Sequence, residues 1–518
     1  MKDKVVAESR RPSLLVNAMS NWFPLVVNTL IGLLLTPFLF SQLGERDYGV
    51  WSLVISLVGY YGLLRLSVGA GIMRYVPFYA GRKEHEATSQ VISTGLAMFT
   101  VVGLAILVIS TLIAEPVARF YEGGRTLSIL IRIMGVAAAA ECPMRIFDAA
   151  LRAHEKWVTA NIITVANAVL YASGLTACLL LGYGLTEMGC VVVASTLVTL
   201  LLSIFAFRKQ CPEIHLGIGL VKWQRLYELF KFGTLNVIGN MAYSMSLQNQ
   251  KLVIGKLVSL EAVAVYAVAA LLIAKVRQIV WAPLQVSWPR FALLDGQNDH
   301  AGIARLFQKT TRYSSMLASG IVLQVLLAGP AFIHLWMPDG FAFETASSVL
   351  IVLAIGCLVE STLYANSVFL GGTGRQGIQA VFASIEGVGG IALSILLGWK
   401  MGLVGVAWGF TVGVILVRGL ACTWYVCRLL KMSLVGYYGR TCLRPWLVLA
   451  VVSITGYALR IPGNVDGWFS WLALACTLTG VYGVATYVFV MTGGERQVVT
   501  ERVRRMLSRT QVVSGAGK

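Results

Sequence analysis

The chain has 518 residues, of which 57% are hydrophobic and 13% are charged, and 42 Lys and Arg against 24 Asp and Glu give a net charge of +18. Soluble globular proteins carry about 25% charged residues, so this composition cannot cover a water-soluble surface. It also excludes disordered and fibrous chains, which need few apolar residues. The remaining class is a polytopic membrane protein.

Long apolar runs follow one another from residue 14 to residue 491. The first run exceeds the about 7–15 residues of a signal-peptide core and has no cleavage site, so we predict that it stays as the first helix. At about 20 apolar residues per crossing, we predict an all-α protein with about fourteen transmembrane helices. Their approximate ranges are 14–40, 48–76, 88–114, 127–150, 157–182, 187–207, 232–255, 261–289, 312–336, 345–370, 377–398, 402–427, 445–460 and 467–491.

The positions of Lys and Arg predict the orientation. With both termini in the cytoplasm, most basic residues fall in the N-terminal tail, the even-numbered connections and the C-terminal tail. This is the distribution that the positive-inside rule requires, and it accounts for the net charge without a nucleic-acid partner. In the longest inner connection, Trp223, Leu226 and Leu229 form an apolar stripe beside Lys222 and Arg225, which predicts a helix lying in the membrane interface.

A weak internal repeat has a period of about 216 residues, and it places residues 43–53 opposite residues 258–268. A repeat of six spans returns to the same side of the membrane, so we predict two parallel bundles around a central cavity, as in transporters. The two last helices brace the bundle or line a lipid-facing groove. The predicted organisation is an N-terminal six-helix bundle (1–207), a cytoplasmic amphipathic linker (208–231), a C-terminal six-helix bundle (232–430), two extra transmembrane helices (431–491) and a basic cytoplasmic tail (492–518).

Basic residues within the spans are candidates for substrate binding, because a charge inside a membrane costs about 2.5–3.5 kcal/mol on insertion scales. Arg65 and Arg277 are repeat mates at similar predicted depth, and Lys275 lies half a turn before Arg277. Together they predict a positive cavity for a phosphate or pyrophosphate, which guanidinium groups bind bidentately. The alternative is that they snorkel to the inner interface, as we predict for Arg74 and Arg418.

Carboxylates within the spans are candidates for ion coupling. Glu141 and Glu360 are repeat mates, and Glu386 lies in the middle of span 11. A buried carboxylate without a partner takes up a proton more readily than an exposed one, which suits proton coupling. For Glu141 the alternative is an ion pair with Arg132 or Arg145 on the same helix.

Amides and hydroxyls are unusually frequent in spans 1 and 7. Asn28, Asn240 and Gln250 are candidates for contacts with sugar hydroxyls in a wet cavity. The alternative for each is a hydrogen bond between helices. The nine cysteines contain no CxxC, and the five histidines show no ligand spacing, so we predict no metal site.

Two further motifs identify a family. One is LGERDYGVW at residues 43–51, and the other is QKLVIG at residues 250–255, where Gln250 replaces an acid common in the family. With these motifs the chain resembles the bacterial polysaccharide transporters, the lipid-linked oligosaccharide (O-antigen-type) flippases of the multidrug/oligosaccharidyl-lipid/polysaccharide exporter superfamily. The replacement puts in doubt any role that rests on the acid.

The resemblance implies a flippase rather than an enzyme. It implies movement of a polyprenyl-pyrophosphate-linked oligosaccharide across the bacterial inner (cytoplasmic) membrane by alternating access, for lipopolysaccharide or exopolysaccharide biosynthesis. Coupling to H⁺ or Na⁺ would drive transport without another cofactor, with membrane lipids and polysaccharide assembly proteins as partners.

Three other functions compete with this interpretation. A multidrug cation antiporter of the same superfamily needs an acidic or aromatic cavity, which the predicted arginines disfavour. A lipid II flippase also fits fourteen spans. A membrane-embedded polysaccharide polymerase or ligase generally needs a large outer loop or a catalytic His pair, whereas the predicted outer loops are short and His334 stands alone.

Overall fold

A computed structural model of the chain describes residues 22–81, 84–154, 156–229, 249–459, 465–497 and 500–501. All regular structure in these ranges is helical. Within the described residues, ten helices are long and apolar enough to cross a membrane, and a bent pair near the C-terminus forms an eleventh candidate. The predicted all-α membrane fold is confirmed. The count of fourteen stays a prediction, because span 7 lies mostly outside the described residues.

The helices follow the predicted apolar runs. They are α1 (Trp22–Gly81), α2 (His85–Phe120), α3 (Gly124–Ala153), α4 (Trp157–Leu180), α5 (Leu185–Gln210), α6 (Leu260–Leu284), α7 (Trp288–Gly296), α8 (His300–Trp336), α9 (Phe343–Thr362), α10 (Tyr364–Gly372), α11 (Gln376–Val414), α12 (Thr423–Leu429), α13 (Leu434–Thr441), α14 (Leu443–Ala458) and α15 (Trp468–Ala485). Two π-helical segments, Ile415–Cys422 and Thr486–Val490, follow α11 and α15. Because a helix satisfies its backbone groups internally, it is the form that such apolar runs adopt in lipid.

Two long helices each break at a glycine. Gly44 in α1 has φ 74° and Gly402 in α11 has φ 61°, a left-handed conformation that favours glycine. The residues on each side of each break can form a crossing of about 20 residues. The breaks agree with the predicted boundaries between spans 1 and 2 and between spans 11 and 12.

The first compact unit consists of Met1–Ala269, Met337–Ala342 and Gln376–Gly413. In it, α3 packs against α1, α2 and α5, and α4 packs against α1 and α5. Because Gly49 has no Cβ atom, α1 can pack closely against the start of α6. A Cβ atom at this position would lie 1.8 Å from the carbonyl oxygen of Leu260. The neighbouring Trp51 and its predicted repeat mate Tyr266 are 2% and 3% exposed. The motif at residues 43–51 therefore supplies a break, a close contact and a buried anchor.

The predicted linker is attached to α2 by hydrogen bonds from its backbone. The amides of His215, Gly217 and Lys222 donate to hydroxyl groups of the α2 residues Ser89, Ser93 and Thr94 at 3.2–3.3 Å. Residues 223–229 are helical, with Trp223 81% exposed and Leu229 fully buried. Its amphipathic character and its role as a membrane anchor stay predictions.

The second compact unit consists of Ala270–Trp336, Phe343–Arg375 and Val414–Lys518. Helix α8 is central to it and packs against α9, α13, α14 and α15. Polar side chains from the last helices donate to the α8 backbone: the Tyr482 hydroxyl to the Met316 carbonyl at 2.8 Å, and the Trp471 indole to the Ala328 carbonyl at 2.9 Å. The C-terminal helices therefore brace α8, one of the two roles predicted for them.

Candidate functional site

Three charged side chains meet inside the second unit. Glu360, near the end of α9, is 1% exposed at its side chain, with Arg277 of α6 on one oxygen and Arg418 on the other. Arg277 Nε lies 2.8 Å from Glu360 Oε2, and Arg418 Nη1 lies 3.4 Å from Glu360 Oε1. We call these three residues the Glu360 cluster.

The cluster lies within helices that can cross a membrane. Each of its residues belongs to a candidate span, and the two arginine side chains are 12% and 15% exposed. Moving a charged group from water into a protein interior costs roughly several kcal/mol per ion. A nearby opposite charge can offset this cost. The cluster consists of two cations and one anion.

Arg418 owes its position to a π-helix. Residues Ile415–Cys422 have π-helical backbone, a rare conformation that is frequent at functional sites. The Thr423 hydroxyl donates to the Arg418 carbonyl at 2.8 Å, and the Tyr438 hydroxyl donates to the Gly419 carbonyl. These two hydroxyl groups supply hydrogen bonds to backbone carbonyls of the widened turn and thereby stabilise the π-helical segment.

Small polar side chains form hydrogen bonds at residues close to the cluster in the chain. The Ser314 hydroxyl donates to the Ser361 carbonyl at 2.5 Å, next to Glu360 in the chain. The Asn366 amide donates to the Thr423 hydroxyl at 2.9 Å, and the oxygen of that amide is buried without a hydrogen-bond partner among the residues that the structure describes. A buried polar atom of this kind usually costs free energy unless water or a ligand satisfies it.

The structure brings together residues that the sequence assigned to different roles. Arg277, predicted to bind substrate, and Glu360, predicted to couple an ion, are partners. Arg418 was expected to snorkel, and this expectation is wrong, because the side chain is mostly buried and contacts a buried carboxylate. Lys275 is half-buried on α6. It is two residues from Arg277, about 200° around the helix, and therefore projects from another face.

Other predicted substrate residues belong to the first unit. Asn28 is exposed, and its side-chain amide donates to the Pro24 carbonyl of its own helix at 2.7 Å. Gln250 is 6% exposed. The backbone of Arg65 lies in α1, and its side chain is outside the described part of the chain, as is all of Asn240. Their contacts with substrate stay predictions.

The remaining ion-coupling candidates also lie in the first unit. Glu141 accepts hydrogen bonds from Arg145, one turn further along α3, at 2.6 and 3.0 Å. The ion pair considered as the alternative for Glu141 is therefore present, whereas Arg132 pairs with Glu115 at 3.0 Å. Glu386 in α11 is 3% exposed. Their role in coupling stays a prediction.

Two known proteins are similar to most of this chain in sequence. EpsK, a membrane protein of Bacillus subtilis (strain 168), is 22% identical over 95% of this chain and 98% of its own length. A Shigella flexneri protein named as an O-antigen transporter is 22% identical over 78% of this chain and 96% of its own length.

Solved structures with the same fold are transporters. A multidrug resistance MATE family transporter of the MOP superfamily, in an inward-facing conformation, superposes with a TM-score of 0.69, with 15% identity over 79% of this chain and 95% of that one. The lipid II flippase MurJ, in an inward closed conformation, gives a TM-score of 0.68, with 15% identity over 92% of this chain and 98% of that one. These likenesses show the fold.

A match to a sequence family shows which family the chain belongs to. Residues 39–343, more than half of the chain, match the family described as polysaccharide biosynthesis protein. The matched region contains the LGERDYGVW and QKLVIG motifs and Arg277 of the cluster. The chain therefore belongs to the polysaccharide biosynthesis protein family, and it has the helical membrane fold of the MOP-superfamily transporters.

Proposed function

We propose that the protein is a flippase that moves a polyprenyl-pyrophosphate-linked oligosaccharide across the bacterial cytoplasmic membrane by alternating access. Both termini lie in the cytoplasm, and the translocated oligosaccharide serves cell-surface polysaccharide biosynthesis. Membership of the polysaccharide biosynthesis family and the name of the Shigella flexneri relative support this substrate class. The protein moves its substrate without changing covalent bonds.

The observation that carries the proposal is the Glu360 cluster. Two guanidinium groups meet one carboxylate within membrane-spanning helices. Guanidinium groups at this depth suit a pyrophosphate, because arginine recognises phosphate oxygens through charge-assisted and often bidentate hydrogen bonds. Glu360 neutralises one cation when substrate is absent, and it thereby reduces the cost of keeping two arginines at this depth.

The main rival is a multidrug cation antiporter of the same superfamily. A cationic drug would meet repulsion at the cluster, because like charges in a low-dielectric site repel strongly. The two functions therefore differ in the sign of the charge transported, and one assay separates them.

Translocation can be measured with purified protein in liposomes. The substrate is a fluorescent undecaprenyl-pyrophosphate-linked oligosaccharide, and its arrival in the second leaflet is followed by chemical quenching from outside. We expect faster translocation than in protein-free liposomes. Uptake of a cationic dye without any acceleration of the lipid would contradict the proposal and favour the antiporter.

Coupling is tested in the same liposomes with imposed gradients. We expect a proton or sodium gradient to raise the translocation rate, and we expect Glu360→Gln to weaken the dependence of that rate on pH. The matched control is Glu115→Gln, whose carboxylate pairs with Arg132 outside the cluster. An unchanged pH response in Glu360→Gln would count against a coupling role for this carboxylate.

A further inference from the structure

A cavity of about 950 Å³ opens in the second unit. Three segments line it: the N-terminal half of α8, the junction of α13 and α14, and residues 490–495 after the second π-helix. None of its lining residues belongs to the Glu360 cluster, so the cavity is a separate feature. Its volume lies within the range of about 300–1,000 Å³ that is typical of small-ligand sites.

The cavity is strongly basic. Arg305, Lys309, Arg440 and Arg444 line it with exposed side chains, and none of the four forms an ion pair with any other residue that the structure describes. They come from two separate parts of the chain, α8 and the α13–α14 junction. An ordinary surface spreads such charges apart, because like charges repel. Their convergence in a concave site points to an anion.

The acid in the lining is already engaged. Glu495 lies 3.1 Å from Arg312 and accepts hydrogen bonds from the Thr492 amide and hydroxyl at 2.8 Å each. Arg312 also donates to the Val490 carbonyl. Because Glu495 neutralises Arg312, the four other cations remain available to a ligand.

Apolar side chains continue from the cavity along the same helices. Tyr313 lines the cavity, and Leu317 is exposed one turn further along α8. Arg444 lines it, and Leu447 is exposed three residues further along α14. Residues three or four apart share a helix face. A ligand with an anionic head and an apolar tail would therefore find a match for both parts.

We propose that this cavity binds the phosphate head group of an anionic membrane phospholipid. Basic pockets between transmembrane helices on the cytoplasmic side recognise such head groups, and the predicted orientation places this end of α8 in the cytoplasm. The bound phosphate bridges α8 to the α13–α14 junction and stabilises the packing of the C-terminal helices. This inference does not depend on the transported substrate.

The test is lipid binding to the purified full chain, measured by native mass spectrometry and by the melting temperature in detergent. We expect cardiolipin and phosphatidylglycerol to bind and to raise the melting temperature, and phosphatidylcholine to do neither. Arg440→Gln/Arg444→Gln should lower the affinity for cardiolipin by about tenfold or more. The matched control is Arg208→Gln/Lys209→Gln, which removes the same charge from an exposed pair at the end of α5.

Equal cardiolipin binding by the cavity variant and the control variant would overturn the proposal. If the Arg440/Arg444 variant fails to elute as a folded protein, Arg305→Gln/Lys309→Gln removes two cations from the α8 side and should show the same loss. Inorganic pyrophosphate tests for a soluble ligand, and undecaprenyl pyrophosphate tests for the transported lipid. Tighter binding of either one than of cardiolipin at this cavity would overturn the assignment to a membrane phospholipid.

Discussion

Glu141 in the first unit and Glu360 in the second are predicted repeat mates, yet their surroundings differ. Glu141 pairs with one arginine on its own helix, and the side chains of Glu141 and Arg145 are 25% and 58% exposed. Glu360 is 1% exposed and contacts arginines from two other helical segments. The first arrangement is a local pair of one helix, whereas the second joins three segments.

This difference shows that position in a repeat does not determine a role. A pair of residues four apart on an exposed helix face contributes a few tenths of a kcal/mol, about 0.3–0.5. A buried charge whose partner is removed costs about 3–5 kcal/mol. We therefore expect a substitution of Glu360 to lower the free energy of unfolding several times more than a substitution of Glu141. We expect the substitution of Glu360 to affect transport as well.

The largest effect is expected for Glu360→Gln. This change leaves two mostly buried arginines without their shared carboxylate, and it should lower the free energy of unfolding by about 3–5 kcal/mol. Chemical unfolding in detergent measures this. Glu360→Asp keeps the charge on a shorter side chain and serves as the control, with a smaller loss. Equal stability of Glu360→Gln and wild type would contradict a buried ion cluster.

A smaller effect on stability is expected for Arg277→Gln or Arg418→Gln. Each leaves Glu360 with one partner, so the free energy of unfolding should fall by about 1–3 kcal/mol. A double-mutant cycle between Arg277 and Glu360 then isolates their interaction. If the two changes were additive, the 2.8 Å contact would have no energetic role.

The Arg312–Glu495 pair has intermediate burial, with side chains 19% and 21% exposed. Burial raises the pKa of Glu495, but hydrogen bonds from Thr492 and the charge of Arg312 outweigh it and lower the pKa below its usual 4.5. Because the folded-state pKa is the lower one, the stabilisation is present above pH 4.5 and is lost as the pH falls through the folded value. Limited proteolysis after residue 492 at decreasing pH should show this release, and Glu495→Gln should remove the pH dependence.

The smallest effect is expected for Glu141→Gln. Glu141 and Arg145 form a pair within one helix, and Arg145 is 58% exposed, so the free energy of unfolding should change by less than about 1 kcal/mol. The same unfolding measurement checks it beside Glu360→Gln. A loss equal to that of Glu360→Gln would show that the two sites are equivalent after all.

The sequence predicts the fold better than it predicts the site. Apolar length determines where helices cross a membrane: the break at Gly44 lies between predicted spans 1 and 2, and the break at Gly402 falls at the start of predicted span 12. The partners of Glu360 could not be predicted, because they come from segments far apart in the chain. Arg418 was expected to snorkel, and its contact with Glu360 could not be predicted, because Glu360 belongs to a separate helix.

The central claim is that the positive charge around Glu360 acts on the pyrophosphate of a transported lipid. The most direct test compares translocation of the fluorescent undecaprenyl-pyrophosphate oligosaccharide in liposomes for wild type, Arg277→Gln, Arg418→Gln and the control Arg132→Gln, whose arginine forms an exposed pair with Glu115. We expect the two cluster variants to lose about tenfold or more in rate, equivalent to about 1.4 kcal/mol in the barrier, while the control keeps the wild-type rate. Wild-type rates in both cluster variants, at equal amounts of folded protein, would contradict the claim.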